Sequence, residues 1–138
     1  MSFGENISPF LGRGLMALFF ALIGLQQVQD WAGARLNLLS HGLAPPDAIL
    51  AIAVVLEFGC SAALLLGFRT RLAALALFVL TLAASVALND FWKIDDAEQS
   101  YPQMQLFLRN VAIAGGLLVI VGMGAGRWSY DTWRGDGD

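Results

Sequence analysis

Hydrophobic residues in this 138-residue chain gather into four long runs, at residues 8–29, 47–68, 71–91 and 104–124, with short polar stretches between them. Each run is about 20 residues, the length an α-helix needs to cross ~30 Å of hydrocarbon. Helices of a soluble core keep one polar stripe toward water, and residues 62–68 and 73–82 offer no such stripe. The pattern predicts an all-α fold, a four-helix transmembrane bundle in a lipid bilayer with a short interfacial helix between the first two spans.

The polar stretches supply the punctuation. Ser8-Pro9 reads as a helix start, and the first run ends where Gln26, Gln27, Gln29 and Asp30 would reach the headgroups. Residues 31–41 are too short and too polar to span. Trp31, Leu36, Leu38 and Leu39 predict a short helix lying in the interface with Trp31 as its anchor. Gly42 stops that helix, and Pro45-Pro46 restarts the chain into the second span. Residues 67–71 form a tight link that makes the second and third spans antiparallel neighbours. The third span leaves the membrane at Asn89-Asp90-Phe91-Trp92, and residues 93–102 read as a polar loop. The fourth run closes in Gly122, Gly124 and Gly126. A polar tail follows at 127–138, with Trp128, Tyr130 and Trp133 placed for the bilayer surface.

Composition agrees with the pattern. Charged residues are 14% of the chain and hydrophobic residues 57%, with a mean hydropathy of +0.65; soluble domains carry about 25% charged residues. Four spans and their links leave no room for a second domain, so residues 1–138 read as one membrane domain. A net charge of −3 without a Lys/Arg cluster excludes nucleic acid as a partner. The first run has no preceding basic residue and no small-x-small site after it, so it reads as a retained helix. Four spans put both termini and the 67–71 link on one side. That side holds five of the eight Lys and Arg residues (Arg13, Arg69, Arg71, Arg127, Arg134) against Arg35, Lys93 and Arg109 on the other, which predicts cytoplasmic termini.

Within the spans the polar residues fall on single faces. Glu57 shares a face with Ala53, Cys60 and Ser61; Arg13 with Ala17, Phe20, Gly24 and Gln27; Thr81, Ser85 and Asn89 follow one another at four-residue steps; Arg109 and Asn110 precede Ala112 and Gly116. At ~1.5 Å of rise per residue, Glu57 lies near the midplane and Arg13 and Arg109 each ~7 Å inside a boundary. An intramembrane carboxyl is costly and marks a functional site by default. Glu57, Arg13, Arg109 and Asn110 are therefore the candidates for a buried polar centre or ligand site, with Arg13 or Arg109 as the partner of Glu57. The competing readings are snorkelling of either arginine to water and Glu57 as interhelical glue. Thr81, Ser85 and Asn89 form a secondary stripe expected to hydrogen-bond between helices, and Cys60 reads as packing. Asp90, Asp95, Asp96 and Glu98 match no calcium loop, and His41 alone makes no transition-metal site, so no metal is expected. No nucleophile, haem or phosphate-loop motif is present, so no catalytic residue is assigned and the isolated chain does not read as an enzyme.

Several of these segments resemble the DoxX-like membrane proteins. The likeness lies in the opening helix from Arg13 through Phe20 to Gly24-Leu-Gln26, the connection closing in Gly42-Leu-Ala-Pro-Pro46, the helix from Glu57 to the link Leu66-Gly-Phe-Arg-Thr-Arg71, Phe91-Trp92, and Phe107-Leu-Arg-Asn110 leading to Gly115-Gly116. The resemblance implies a four-helix protein of the bacterial inner membrane and an accessory or quinone-proximal subunit of a membrane redox system. A non-covalently bound quinone and a membrane or redox protein partner would go with it. Arg13, Glu57, Arg109 and Asn110 fall on the family's polar positions. The chain departs from the family at Ile23, where members often carry His, and at Gln27, where they often carry Lys. A structural or assembly subunit and a small-molecule or ion transporter are the rival readings, and the oligomeric state, a homo-oligomer included, stays open.

Overall fold

The computed structural model describes residues 3–124, with side chains from residue 7 onward. The helices are α1 (Phe3–Gln29), α2 (Trp31–Ser40), α3 (Pro46–Leu66), α4 (Thr70–Leu88) and α5 (Ala97–Met123), with a 3₁₀ turn at Phe91–Lys93. Four stretches, Ile7–Gln29, Pro46–Leu66, Thr70–Lys93 and Ala97–Met123, are long and apolar enough to cross a membrane. The tail expected at the bilayer surface, with Trp128, Tyr130 and Trp133, lies outside the described residues, as do Arg127 and Arg134.

Local chemistry explains most of the boundaries. Asp30 caps α2 by accepting a hydrogen bond from the Gly33 amide. Both α2 and α3 end in Schellman closures: Leu43 N–H donates to Leu38 O and Gly42 N–H to Leu39 O, and Phe68 N–H donates to Ala63 O and Gly67 N–H to Leu64 O. Gly42 and Gly67 take the left-handed conformation these closures need, at φ 77° and 72°. Pro46 opens α3 at its first position, as expected.

Two boundaries differ from the expectation. Ser8-Pro9 does not start α1; the helix begins at Phe3 and Pro9 lies inside it. The loop expected over 93–102 is helical from Ala97, where Asp96 accepts from the Glu98 amide, and α5 runs through Pro102. Each proline gives up one backbone hydrogen bond and crowds the carbonyl four residues before it, a cost confined to the first two turns of a 27-residue helix.

The spans pack in ring order, α1 on α3, α3 on α4 and α4 on α5, and the side between α5 and α1 is the loosest. The core joins Ala17 and Phe20 of α1, Leu64 of α3, Ala73, Ala74 and Leu77 of α4, and Leu117 of α5. A second cluster seats Leu38 of α2 on Leu50 and Val54 of α3. Leu15, Leu18, Val55, Leu72, Val79 and Val119 face outward, more than half exposed. So much apolar outer surface suits lipid and would be a liability in water.

Polar clamps hold α2 across one end of this bundle. Asp47 at the start of α3 accepts from Trp31 Nε1 at 3.0 Å and Arg35 Nε at 3.3 Å. At the other end of α2, His41 Nε2 lies 3.6 Å from Asp90 Oδ1, and Lys93 Nζ lies 3.8 Å from Asp90 Oδ2. Phe91, Trp92 and Phe107 form an edge-to-face cluster that pins the 3₁₀ turn to α5.

Exposed ion pairs contribute little to global stability. Asp47→Ala is therefore expected to free α2, with faster amide exchange over residues 31–40, while the melting of the bundle in detergent shifts by under about 1 kcal/mol. A large loss of bundle stability in that variant would contradict the clamp.

Candidate functional site

Glu57 sits on the face of α3 that meets α1. The absence of a side chain at Gly24 lets the two helices approach, for a Cβ there would stand 3.2 Å from the Phe58 ring and 3.4 Å from Glu57 Oε2. One turn further along α1, Gln27 is the hydrogen-bonding neighbour of the Glu57 carboxyl. Small residue, carboxyl and amide thus interlock across one helix pair, as the spacing of three on α1 requires.

Beside this pair lies a cavity of ≈ 220 Å³. Its polar lining comes from every helix: Gln27 from α1, Asn37 from α2, Glu57 from α3, Thr81 from α4 with Asn89 capping its end, Arg109 and Asn110 from α5. Phe19, Phe20, Ile23 and Leu80 complete the wall on the apolar side. Three oxygens on this lining, Gln27 Oε1, Glu57 Oε2 and Thr81 Oγ1, are buried and carry no hydrogen bond. Buried polar atoms are ordinarily paired, and an unpaired one in hydrocarbon costs several kcal/mol. Ser61 Oγ and Ser85 Oγ are also buried without a partner, off this lining; what distinguishes the cavity is that three such oxygens, from three helices, meet on it.

The candidates from the sequence divide. Glu57, Arg109, Asn110, Thr81 and Asn89 share the cavity. Arg13 and Ser85 are not on its lining. Arg13 is 2% exposed and donates from Nη1 to the carbonyl of Leu64 at 2.7 Å, in the last turn of α3. A cation there also faces the negative end of the helix dipole. Neither of the two arginines forms the expected ion pair with Glu57. The guanidinium of Arg109 instead lies over the Phe19 ring, 5.6 Å from its centroid, a cation–π contact at the cavity edge.

The secondary stripe divides as well. Asn89 donates from Nδ2 to Gln103 at 2.9 Å and accepts from Asn110 Nδ2 at 3.4 Å, linking α4 to α5. The hydroxyls of Thr81 and Ser85 are buried without a hydrogen-bond partner, against the expectation of interhelical bonds there. Cys60 packs beside the core. Asn37 was hidden in the sequence because α2 is interfacial and a single amide on it carries no pattern. Gln27 was visible on the Arg13 face, yet its proximity to the headgroups masked its role.

Two substitutions separate the packing at Glu57 from generic helix propensity. Gly59 lies two residues from Glu57 in sequence, but a Cβ on it would touch nothing within 4 Å. Gly59→Ala is expected to stabilise the bundle by about 0.5–1 kcal/mol through helix propensity, whereas Gly24→Ala should lose that gain by pressing on Phe58 and Glu57. Removing the charged bond at the end of α3 is costlier: Arg13→Leu is expected to lower stability by about 1.5–3 kcal/mol, with Arg13→Lys in between. Thermal unfolding followed by circular dichroism in mild detergent checks both. Equal effects of the two glycine variants would contradict the close approach at Gly24.

The comparisons with known proteins agree with this architecture. The chain is 30% identical over 127 residues to the inner membrane protein YqjF of Escherichia coli (strain K12), covering 92% of each chain. It is also 30% identical over 121 residues to the inner membrane protein YphA of the same organism, covering 88% of this chain and 86% of that protein. No solved structure matches. Residues 8–90 match the DoxX family model, more than half of the chain, and the protein therefore belongs to the DoxX family.

Proposed function

We propose that this protein is a quinone-proximal accessory subunit of a membrane redox system, with the cavity at Glu57 as the seat of a quinone head group. The observation that carries this reading is the meeting of three unpaired oxygens, on Gln27, Glu57 and Thr81, in one cavity of ≈ 220 Å³. If Glu57 served only to fasten helices, its carboxyl would spend both oxygens across a helix interface. Here Oε2 stays free beside the cavity.

The lining suits a small ring with oxygen at opposite edges. Arg109 and the side-chain amides of Asn110 and Gln27 can donate to quinone carbonyls. The Glu57 carboxylate and Gln27 Oε1 can accept from the hydroxyls of the reduced form. Phe19 and Phe20 offer ring faces and edges to the flat head. The chain supplies binding and orientation, and a partner protein supplies the electron carrier. The names of YqjF and YphA, both inner membrane proteins, support the bacterial cytoplasmic membrane as the location. The distribution of Lys and Arg supports cytoplasmic termini.

Purification in mild detergent followed by solvent extraction and chromatography tests the reading. The expected outcome is co-purified quinone, together with saturable binding of 2,3-dimethoxy-5-methyl-1,4-benzoquinone. Glu57→Ala and Asn110→Ala should each weaken that binding about tenfold, the worth of one lost hydrogen bond of about 1.4 kcal/mol. A protein that emerges without quinone and binds none on titration is a structural subunit instead. A phosphatase fusion within residues 94–96 should be active and one at the C-terminus inactive; the reverse would invert the orientation.

A further inference from the structure

Besides the polar cavity, which α1 and α5 line together with the other helices, a second opening lies in the seam between α1 and α5. The second, toward the beginning of α1 and the end of α5, is larger, ≈ 470 Å³. Gly12, Met16, Val119, Ile120 and Met123 make its wall mainly apolar, with Arg13 at one side directed to the Leu64 carbonyl. On α1, residues 12 and 16 of this groove continue into 19, 20, 23 and 27 of the polar cavity. On α5, residues 109 and 110 of the cavity continue into 116, 119, 120 and 123 of the groove. Steps of three and four on α1, and the two full turns from 109 to 116 on α5, keep each series on one helix face, so head cavity and groove share a single stripe.

Met16 and Gly116 line the groove and stand between the two openings. A Cβ on Gly116 would collide with Met16 Cε, so the glycine leaves space that the end of a methionine occupies. A thioether side chain is unbranched and adapts its shape easily. It can swing aside for a chain passing between the openings without movement of either helix. On the cavity side the seam is crossed by Arg109 over Phe19.

We propose that the α1–α5 groove holds the apolar tail of the same ligand whose head occupies the polar cavity, so that the site is built for a single-tailed amphiphile and not for a free polar molecule. This rests on the assignment of the polar cavity as a head-group site. Continuity of the stripe identifies the occupant: a tail attached to a head at Arg109 and Phe19 meets Met16 and then the groove. Lipid tails are as apolar as the groove wall, so burial there supplies little driving force. The groove acts by shape, giving the tail somewhere to go.

The test compares two ligands with one head: tailless 2,3-dimethoxy-5-methyl-1,4-benzoquinone and its 6-decyl derivative. Both are titrated into the purified full chain at one fixed detergent concentration. Gly12→Phe fills the groove from α1, where a Cβ meets nothing within 4 Å, and Val119→Phe fills it from the outward side of α5. Each is expected to weaken the decyl ligand about tenfold relative to the natural chain and to leave the tailless head unchanged. Partition into micelles cancels because each ratio is taken within one ligand. Two variants on opposite walls guard against one that fails to fold. If the decyl ligand binds all folded variants alike, the groove belongs to a bilayer lipid or a partner helix and the inference is overturned, with the head-group reading intact. If the tailless ligand binds nowhere, the head-group reading and this inference fall together.

Discussion

Hydrocarbon offers no hydrogen bonds, and that single fact governs where every polar group of this bundle goes. The backbone answers by being helical through each span. The side chains answer in three ways. Arg13 turns inward and spends its charge on a carbonyl at the end of α3. Asn89, at the end of α4, bonds to both Asn110 and Gln103 of α5. Glu57, Gln27 and Thr81 keep oxygens free, and all three border one cavity. The first two solutions are structural; the third sets a place apart.

The same constraint explains why α1 is the organising helix. Its inward face meets α3 closely through Gly24 and carries Phe20 into the core. The seam toward α5 is looser, and the apolar groove lies along it. On the reading proposed above, a ligand enters from the lipid along this loosest side without unpacking the core of Leu64, Leu77 and Leu117. The α2 clamp at Asp47 and Asp90 closes the adjoining end, where Asn37 joins the cavity lining.

Much of this architecture was legible in the sequence because run length and hydropathy act locally. The four spans, the interfacial helix anchored at Trp31 and the glycine stops at 42 and 67 follow from the residues in place. The errors at Pro9 and Pro102 share one cause. A proline signals a break from its own ring, while flanking residues with adequate propensity can carry a long helix through it. The site was legible in part. Periodicity put Glu57 and Asn110 on inward faces, but it gives no azimuth between helices, so it could not tell which arginine pairs with Glu57. Neither does: Arg13 found a carbonyl at the end of a neighbouring helix, which no side-chain pattern encodes, and Arg109 found the Phe19 ring.

The positions where the chain departs from the family it resembles now acquire a physical meaning. Ile23 and Gln27, where members often carry His and Lys, both line the cavity. A lysine at 27 would set an ammonium beside Glu57 and close the carboxyl in an ion pair. The amide here is neutral and leaves one carboxyl oxygen free. An imidazole at 23 would add a titratable donor to the wall; isoleucine makes that part of the wall apolar. Both changes remove proton-handling groups while leaving hydrogen-bonding amides and aromatic rings around the same space. A cavity altered in that direction keeps what recognition needs and gives up what proton transfer needs. The chemistry of its walls is therefore in keeping with the accessory role proposed above, binding and orienting a ligand.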